Sequence, residues 1–287
     1  MKTDFQNITI LGGGLLGGSL ALALGASQNR PKARLWARNR ETINAARELS
    51  ITGATSDFSE AVRDADLIIL AVPVGSMAAL VTAALDAGLR ENCLITDVGS
   101  VKRGPHRQIS PLLHDRQIHF IGSHPMAGSE RNGLSAATAN LFQNAACLLT
   151  NDDDAPAELA AALDRFWKTI GCRTSWMTGA THDELVARIS HLPHLIAASA
   201  ARVCLKYPSE GEFGGGGLRD TTRVAAGNPS MWAEIVTENR EALIGPLRET
   251  LADLREILAS LESGDQEQAC HWLATAKQRR DPLNLPQ

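Results

Sequence analysis

A change of periodicity near Gly179 constrains this chain more than any other feature. Before it, short strand-like runs, several of them β-branched, cover residues 8–11, 33–37, 67–72, 93–98 and 119–122, with 146–150 and 174–177 as outer candidates. Helical stretches over 17–26, 41–49, 76–87 and 155–170 fall between them. Strands separated by helices pair in parallel and need both faces covered. The expectation is an α/β, Rossmann-like, mostly parallel doubly wound sheet. After Gly179 only helical spacing remains. Thr181 with Glu184 three residues on predicts a capped helix start, and Leu185, Ile189, Leu192, Ile196 and Val203 continue it. Pro193 predicts a kink. Leu247, Leu251, Leu254, Leu258 and Leu261 predict a long helix packed in a bundle or against a second subunit. The expected domains are therefore residues 1–178, binding a dinucleotide, and residues 179–287, an all-α substrate and dimerisation domain.

Composition narrows the class. At 287 residues, 44% hydrophobic and 21% charged, the chain is long enough for two domains with a sizeable core. A net charge of -4 and a pI near 6.1 argue against a nucleic-acid partner. Residues 67–85 carry no charge, but Pro73, Gly75 and Ser76 break the run into a buried strand, a turn and a helix, not a membrane span. Asp4 and an apolar strand from Ile8 argue against a signal peptide. The cysteines at 93, 147, 172, 204 and 270 form no CxxC pair, so reduced thiols in a cytoplasmic protein are expected, with no metal site. Too little chain follows the leucine stripe for a further regulatory domain.

Gly12-Gly13-Gly14-Leu15-Leu16-Gly17 matches G-x-G-x-x-G between the first strand and the first helix. Gly12 allows the tight turn, Gly14 lets backbone approach a pyrophosphate, and Gly17 lets the helix close on the strand. Leu15 and Leu16 open the helix whose N–H groups face the anion. Val72 and Pro73 end a neighbouring strand on the same edge. A carboxylate about twenty residues past the loop would bind the ribose of NAD, but that place holds Ala37-Arg38-Asn39-Arg40. A guanidinium there suits a 2′-phosphate, so NADP is expected over NAD.

Two further blocks, Asp97-Val98-Gly99-Ser100-Val101-Lys102 and Ser123-His124-Pro125-Met126-Ala127-Gly128-Ser129-Glu130, are placed just past strand carboxyl ends, where α/β sheets bind ligands. A neutral His124 can take the proton of an alcohol while hydride leaves the same carbon, and Ser100 can orient the ring. Ser190-His191-Leu192-Pro193-His194 puts two histidines one turn apart, with no further ligand at metal spacing. In Leu218-Arg219-Asp220-Thr221-Thr222-Arg223, the two arginines share a helix face and Asp220 can pair with Arg223, poising it for a substrate carboxylate.

With these four blocks in order from Ile8 to Asn239, the chain resembles the prephenate dehydrogenase family, which includes arogenate and cyclohexadienyl dehydrogenases of tyrosine biosynthesis. The resemblance implies oxidative decarboxylation of prephenate or arogenate. It gives His124 the role of catalytic base and Ser100 its support. It gives Arg223 the ring carboxylate and His194 the substrate side chain. Glu130 closes the site, and Trp232 in Pro229-Ser230-Met231-Trp232 lines it. Whether the side chain is pyruvyl or alanyl stays open, because a histidine can accept from an ammonium or donate to a keto group. A β-hydroxyacid or imine-type dehydrogenase would be expected to rely on a lysine in the helical half, where Lys206 stands outside any motif. A non-catalytic NADP sensor would need no base such as His124.

Overall fold

The computed structural model describes residues 4–26, 31–128, 131 and 133–284. The chain divides into two compact units, residues 1–239 and 240–287. The first unit begins β1 (Asn7–Leu11), α1 (Leu15–Gly25), β2 (Lys32–Trp36), α2 (Arg40–Glu48), β3 (Ala54–Thr55), α3 (Phe58–Val62) and β4 (Leu67–Leu70). It continues α4 (Met77–Asp86), β5 (Leu94–Asp97), α5 (Arg103–Leu113), β6 (His119–Pro125), β7 (Ala146–Thr150), α6 (Ala157–Ile170) and β8 (Arg173–Trp176). One eight-stranded sheet results, in the order β3-β2-β1-β4-β5-β6-β7-β8. All pairs are parallel except β6 with β7. The order reverses between β1 and β4, which opens a crevice at their carboxyl ends.

The sheet faces account for the β-branched runs. Ile8, Ile10, Leu20, Leu35, Ile69 and Trp167 fill one layer, and Leu11, Ile68, Leu70, Val81, Ile95 and Phe120 fill the other. Each of these side chains is buried, and a fully buried Ile or Leu contributes roughly 1.5–3 kcal/mol. β6 runs three residues beyond the stretch its β-branched residues mark, because antiparallel pairing with β7 carries it on through Gly122↔Thr150, Ser123↔Leu149 and His124↔Leu148. Ser123 and His124 therefore lie within a strand, not past its end.

The rest of the first unit is helical: α7 (Gly179–Val186), a π turn (Ala187–His191), α8 (Leu192–Cys204), α9 (Gly216–Thr222) and α10 (Pro229–Glu238). The cap of α7 is Thr178, whose hydroxyl accepts from the Thr181 N–H at 3.1 Å, so the helix starts three residues before the Thr181 capping box. Pro193 produces no kink inside a helix. The π turn ends the preceding register, and the proline falls in the first turn of α8, where no intrahelical donor is needed.

The second unit consists of α11 (Arg240–Ser263), α12 (Gln266–Arg280) and a terminal 3₁₀ turn (Asp281–Asn284). Asp265 caps α12 by accepting from the Gln268 N–H, and Trp272 donates to Asp253 across the pair. Leu251, Leu254, Leu258 and Leu261 are exposed along α11. Among the described residues, no helix is long and apolar enough to cross a membrane.

Candidate active site

The glycine loop has the shape its sequence predicts. Gly12 has φ of +122°, and a Cβ there would lie 2.2 Å from the Ala71 carbonyl oxygen after β4. A Cβ on Gly17 would lie 1.9 Å from the Gly12 carbonyl oxygen, so α1 can start here only with glycine. At Gly14 the opposite holds: a Cβ would meet nothing within 4 Å. Gly14 is the N-cap of α1, with no side-chain cap and no acidic residue in the first turn. An open cradle of uncapped N–H groups fits a pyrophosphate. Val72 and Pro73 follow β4 beside it. Arg38 and Arg40 follow β2, exposed; between them Asn39 caps α2 by accepting from the Glu41 N–H at 2.8 Å.

Beyond the loop lies a buried polar cluster. Asp97, the last residue of β5, pairs with Lys102 at 2.5 Å, and both side chains are fully buried. The Lys102 Nζ also donates to the Gly99 and Val101 carbonyls at 3.0 Å. Asp97 accepts from the Gly99 N–H at 2.9 Å and the Ser123 N–H at 3.1 Å. One ion pair thus ties the loop bearing Ser100 to the strand bearing His124. The Ser123 hydroxyl meets Thr96 and accepts from the Trp167 indole, which anchors the same strand.

His124 Nδ1 lies 2.9 Å from His182 Nε2, and His182 Nδ1 lies 2.8 Å from Asp183 Oδ1. Asp183 also accepts from the Lys102 N–H at 2.7 Å and the Arg103 N–H at 3.0 Å. His182, not Ser100, is the partner that orients the His124 ring; Ser100 is half-buried on the adjoining loop. Burial first, then His182, Lys102 and His191, hold His124 well below the usual histidine pKa. Burial lowers His182 against the pull of Asp183. For Asp183 burial works upward, but hydrogen bonds from His182, Arg103 and Lys102 hold its carboxyl below the usual value.

The π turn and α8 add a second group. Asn239 Nδ2 donates to the Asp183 carbonyl at 2.8 Å and lies 3.0 Å from His191 Nδ1. His194 stacks on Trp232, centroids 3.5 Å apart and planes 10° apart, and His191 meets the same indole edge-on. Among the described residues, His191 Nε2 and His194 Nδ1 are buried without a hydrogen-bond partner. Burial depresses both, His191 to about 4. Orphaned buried nitrogens of this kind mark a place where a ligand supplies the missing bond.

Four neutral buried histidines have a consequence for stability. Their unfolded pKa is near 6.5 and their folded pKa is lower, so the unfolded chain binds more protons as pH falls below about 6.5. Each costs about 1.4 kcal/mol per pH unit until its folded pKa is reached. The urea midpoint should therefore drop between pH 7.5 and 5. A midpoint that holds or rises would show that the histidines are not buried neutral.

Not every expected residue joins this cluster. Arg223 starts a 3₁₀ turn after α9, and both it and Asp220 are exposed with no ion pair between them, so the expected salt bridge is not formed. Both side chains stand in water, where such a pair gains little. Glu130 lies outside the described residues. Sequence spacing marked Asp97 and Lys102 as the ends of one block without pairing them, and missed His182, Asp183 and Asn239, with partners up to 81 residues away.

A glycine-loop sheet with a neutral buried imidazole near its carboxyl edge defines a dinucleotide-binding dehydrogenase. The chain belongs to the prephenate dehydrogenase family. The family model for the prephenate dehydrogenase nucleotide-binding domain matches residues 20–176, and that for the prephenate dehydrogenase dimerization domain matches residues 178–275. The chain is 36% identical to a cyclohexadienyl dehydrogenase of Zymomonas mobilis over 92% of its length and 91% of the relative's. It is 33% identical to a prephenate dehydrogenase of Bacillus subtilis, over 98% of this chain and 77% of that one. Among solved structures, prephenate dehydrogenase from A. aeolicus with hydroxyphenyl propionate and NAD+ superimposes with a TM-score of 0.87 at 27% identity, covering 99% of this chain and 100% of that one. Synechocystis arogenate dehydrogenase gives 0.78 at 29% identity, covering 96% and 99%.

Proposed function

We propose that the protein catalyses NADP-dependent oxidative decarboxylation of prephenate to 4-hydroxyphenylpyruvate, with arogenate the poorer substrate. The observation that carries the reading is the buried His124, 2.9 Å from His182, on the same sheet as an open glycine cradle. His124 takes the proton of the ring 4-hydroxyl as that carbon becomes a ketone. The bound nicotinamide supplies the acceptor for the hydride. Loss of the ring carboxylate as CO₂ leaves its electron pair to aromatise the ring. The resulting phenolate oxygen then recovers the proton from His124. Ser100 faces the same hydroxyl, Arg223 holds the ring carboxylate, Glu130 closes the site, and Trp232 with His194 flanks the side chain. Gly12, Gly14, Leu15, Leu16, Gly17, Val72 and Pro73 hold the dinucleotide, and Arg38, Asn39 and Arg40 meet its 2′-phosphate. Residues 1–178 bind the cofactor and 179–287 the substrate, pairing two copies through the exposed leucines of α11.

The preference for prephenate follows from a proton. The Asn239 atom facing the Asp183 carbonyl must be the amide nitrogen, which has no lone pair to offer His191. His191 Nδ1 therefore accepts, and the ring's one proton sits on the orphaned Nε2. An N–H there would donate to the keto oxygen that only prephenate carries and leave the ammonium of arogenate unpaired; the side-chain carboxylate, common to both, does not discriminate. Steady-state assays at the NADPH absorbance band test both choices. kcat/KM should be at least about tenfold higher for prephenate than arogenate, and at least about tenfold higher with NADP than NAD. Equal or reversed ratios would overturn the corresponding preference; no reduction with either substrate would overturn the function.

A further inference from the structure

We propose that Asp183 and His182 are positioning residues that fix which nitrogen of His124 is bare and neutralise the charge it gains when it takes a proton. The proposal rests on His124 being the base of the reaction above. The argument is one of donors and acceptors. Asp183 receives two backbone N–H bonds and is held ionised, so it can only accept, and His182 Nδ1 must donate to it. A neutral His182 then has a bare Nε2, which must accept from His124 Nδ1. The one remaining nitrogen, His124 Nε2, is left with a lone pair for the substrate. Three residues on two elements, β6 and α7, thus settle a proton arrangement that His124 alone could not.

Charge points the same way. Asp97 and Lys102 neutralise one another in a fully buried pair. Among the described residues, the charged and titratable groups facing the histidines are these two, Asp183 and His191. With the histidines neutral, Asp183 leaves the pocket with one uncompensated negative charge, its side chain 2% exposed. Burying such a charge is costly. The proton that arrives on His124 compensates it through two hydrogen bonds, so the cationic state is stabilised as it forms. No net transfer to Asp183 is required.

Two readouts test this. In ¹⁵N-histidine NMR of the wild-type protein at pH 7.5, with His124 assigned by its loss in His124→Leu, Nδ1 should be protonated and Nε2 bare. Protonation at Nε2 overturns the proposal, and the spectrum decides it even if neither substrate is turned over. In kinetics with NADP and prephenate, Asp183→Asn should lower kcat on the order of 10²–10⁴-fold with KM nearly unchanged. Removing the negative charge should also shift the acid limb of kcat/KM to lower pH. A limb that stays in place overturns the proposal, whatever happens to kcat, since misplacement alone lowers kcat without moving it. If Asp183→Asn does not fold, His182→Gln serves instead: its amide oxygen still accepts from His124 but breaks the link to Asp183. It should shift the limb in the same direction, and an unmoved limb again overturns the claim.

Discussion

Replacing His124 with leucine should lower kcat on the order of 10²–10⁴-fold while NADP binds as before. The two effects separate because the two sites are built from different parts. The cofactor cradle is backbone: Gly12, Gly14 and Gly17 at the end of β1 and start of α1. The proposed base is a side chain on β6, held at Nδ1 by His182. Leucine fills a similar volume in a site 8% exposed, so the strand should keep its pairing with β7. What is lost is a neutral acceptor for the hydroxyl proton. Rapid-mixing or steady-state assays at saturating prephenate measure the loss, and titration of NADP against intrinsic fluorescence measures the binding. Turnover within about threefold of wild type would remove His124 from its role.

Replacing Lys102 with methionine should destabilise the fold by about 3–5 kcal/mol, the usual cost of stranding one partner of a buried ion pair. Volume is roughly kept, so the effect isolates charge. Asp97 would remain buried at the end of β5 without its cation, and the Gly99 and Val101 carbonyls would each lose a donor. Adding Asp97→Asn should recover part of the loss, since it removes the stranded charge while keeping one acceptor oxygen, enough for either the Gly99 or the Ser123 N–H. Urea unfolding of both variants measures this. A loss below about 1 kcal/mol for Lys102→Met would mean the pair does not hold the Ser100 loop to β6.

The sheet was legible in the sequence because each central strand is a β-branched run buried on both faces. The glycine loop was legible for a different reason: Gly12 and Gly17 sit where any Cβ would strike a backbone carbonyl oxygen. Element ends were less so. The end of β6 depends on pairing with β7 across a long connection, and the cap of α7 depends on Thr178 turning back on Thr181. The proposed site was legible only in its separate blocks. His124 and His182 are 58 residues apart, and Lys102 and Asp183 are 81 apart, so no spacing rule joins them. The Asp220–Arg223 pairing illustrates the opposite hazard: a helical offset in sequence allows a contact but does not make one between two exposed side chains.

The most direct measurement is stoichiometric. Purified protein is supplied with prephenate and NADP, and NADPH and CO₂ are followed together to completion. Equal amounts of both, with 4-hydroxyphenylpyruvate as the ring product, are predicted. NADPH formed without CO₂, or neither formed with prephenate, would contradict the account.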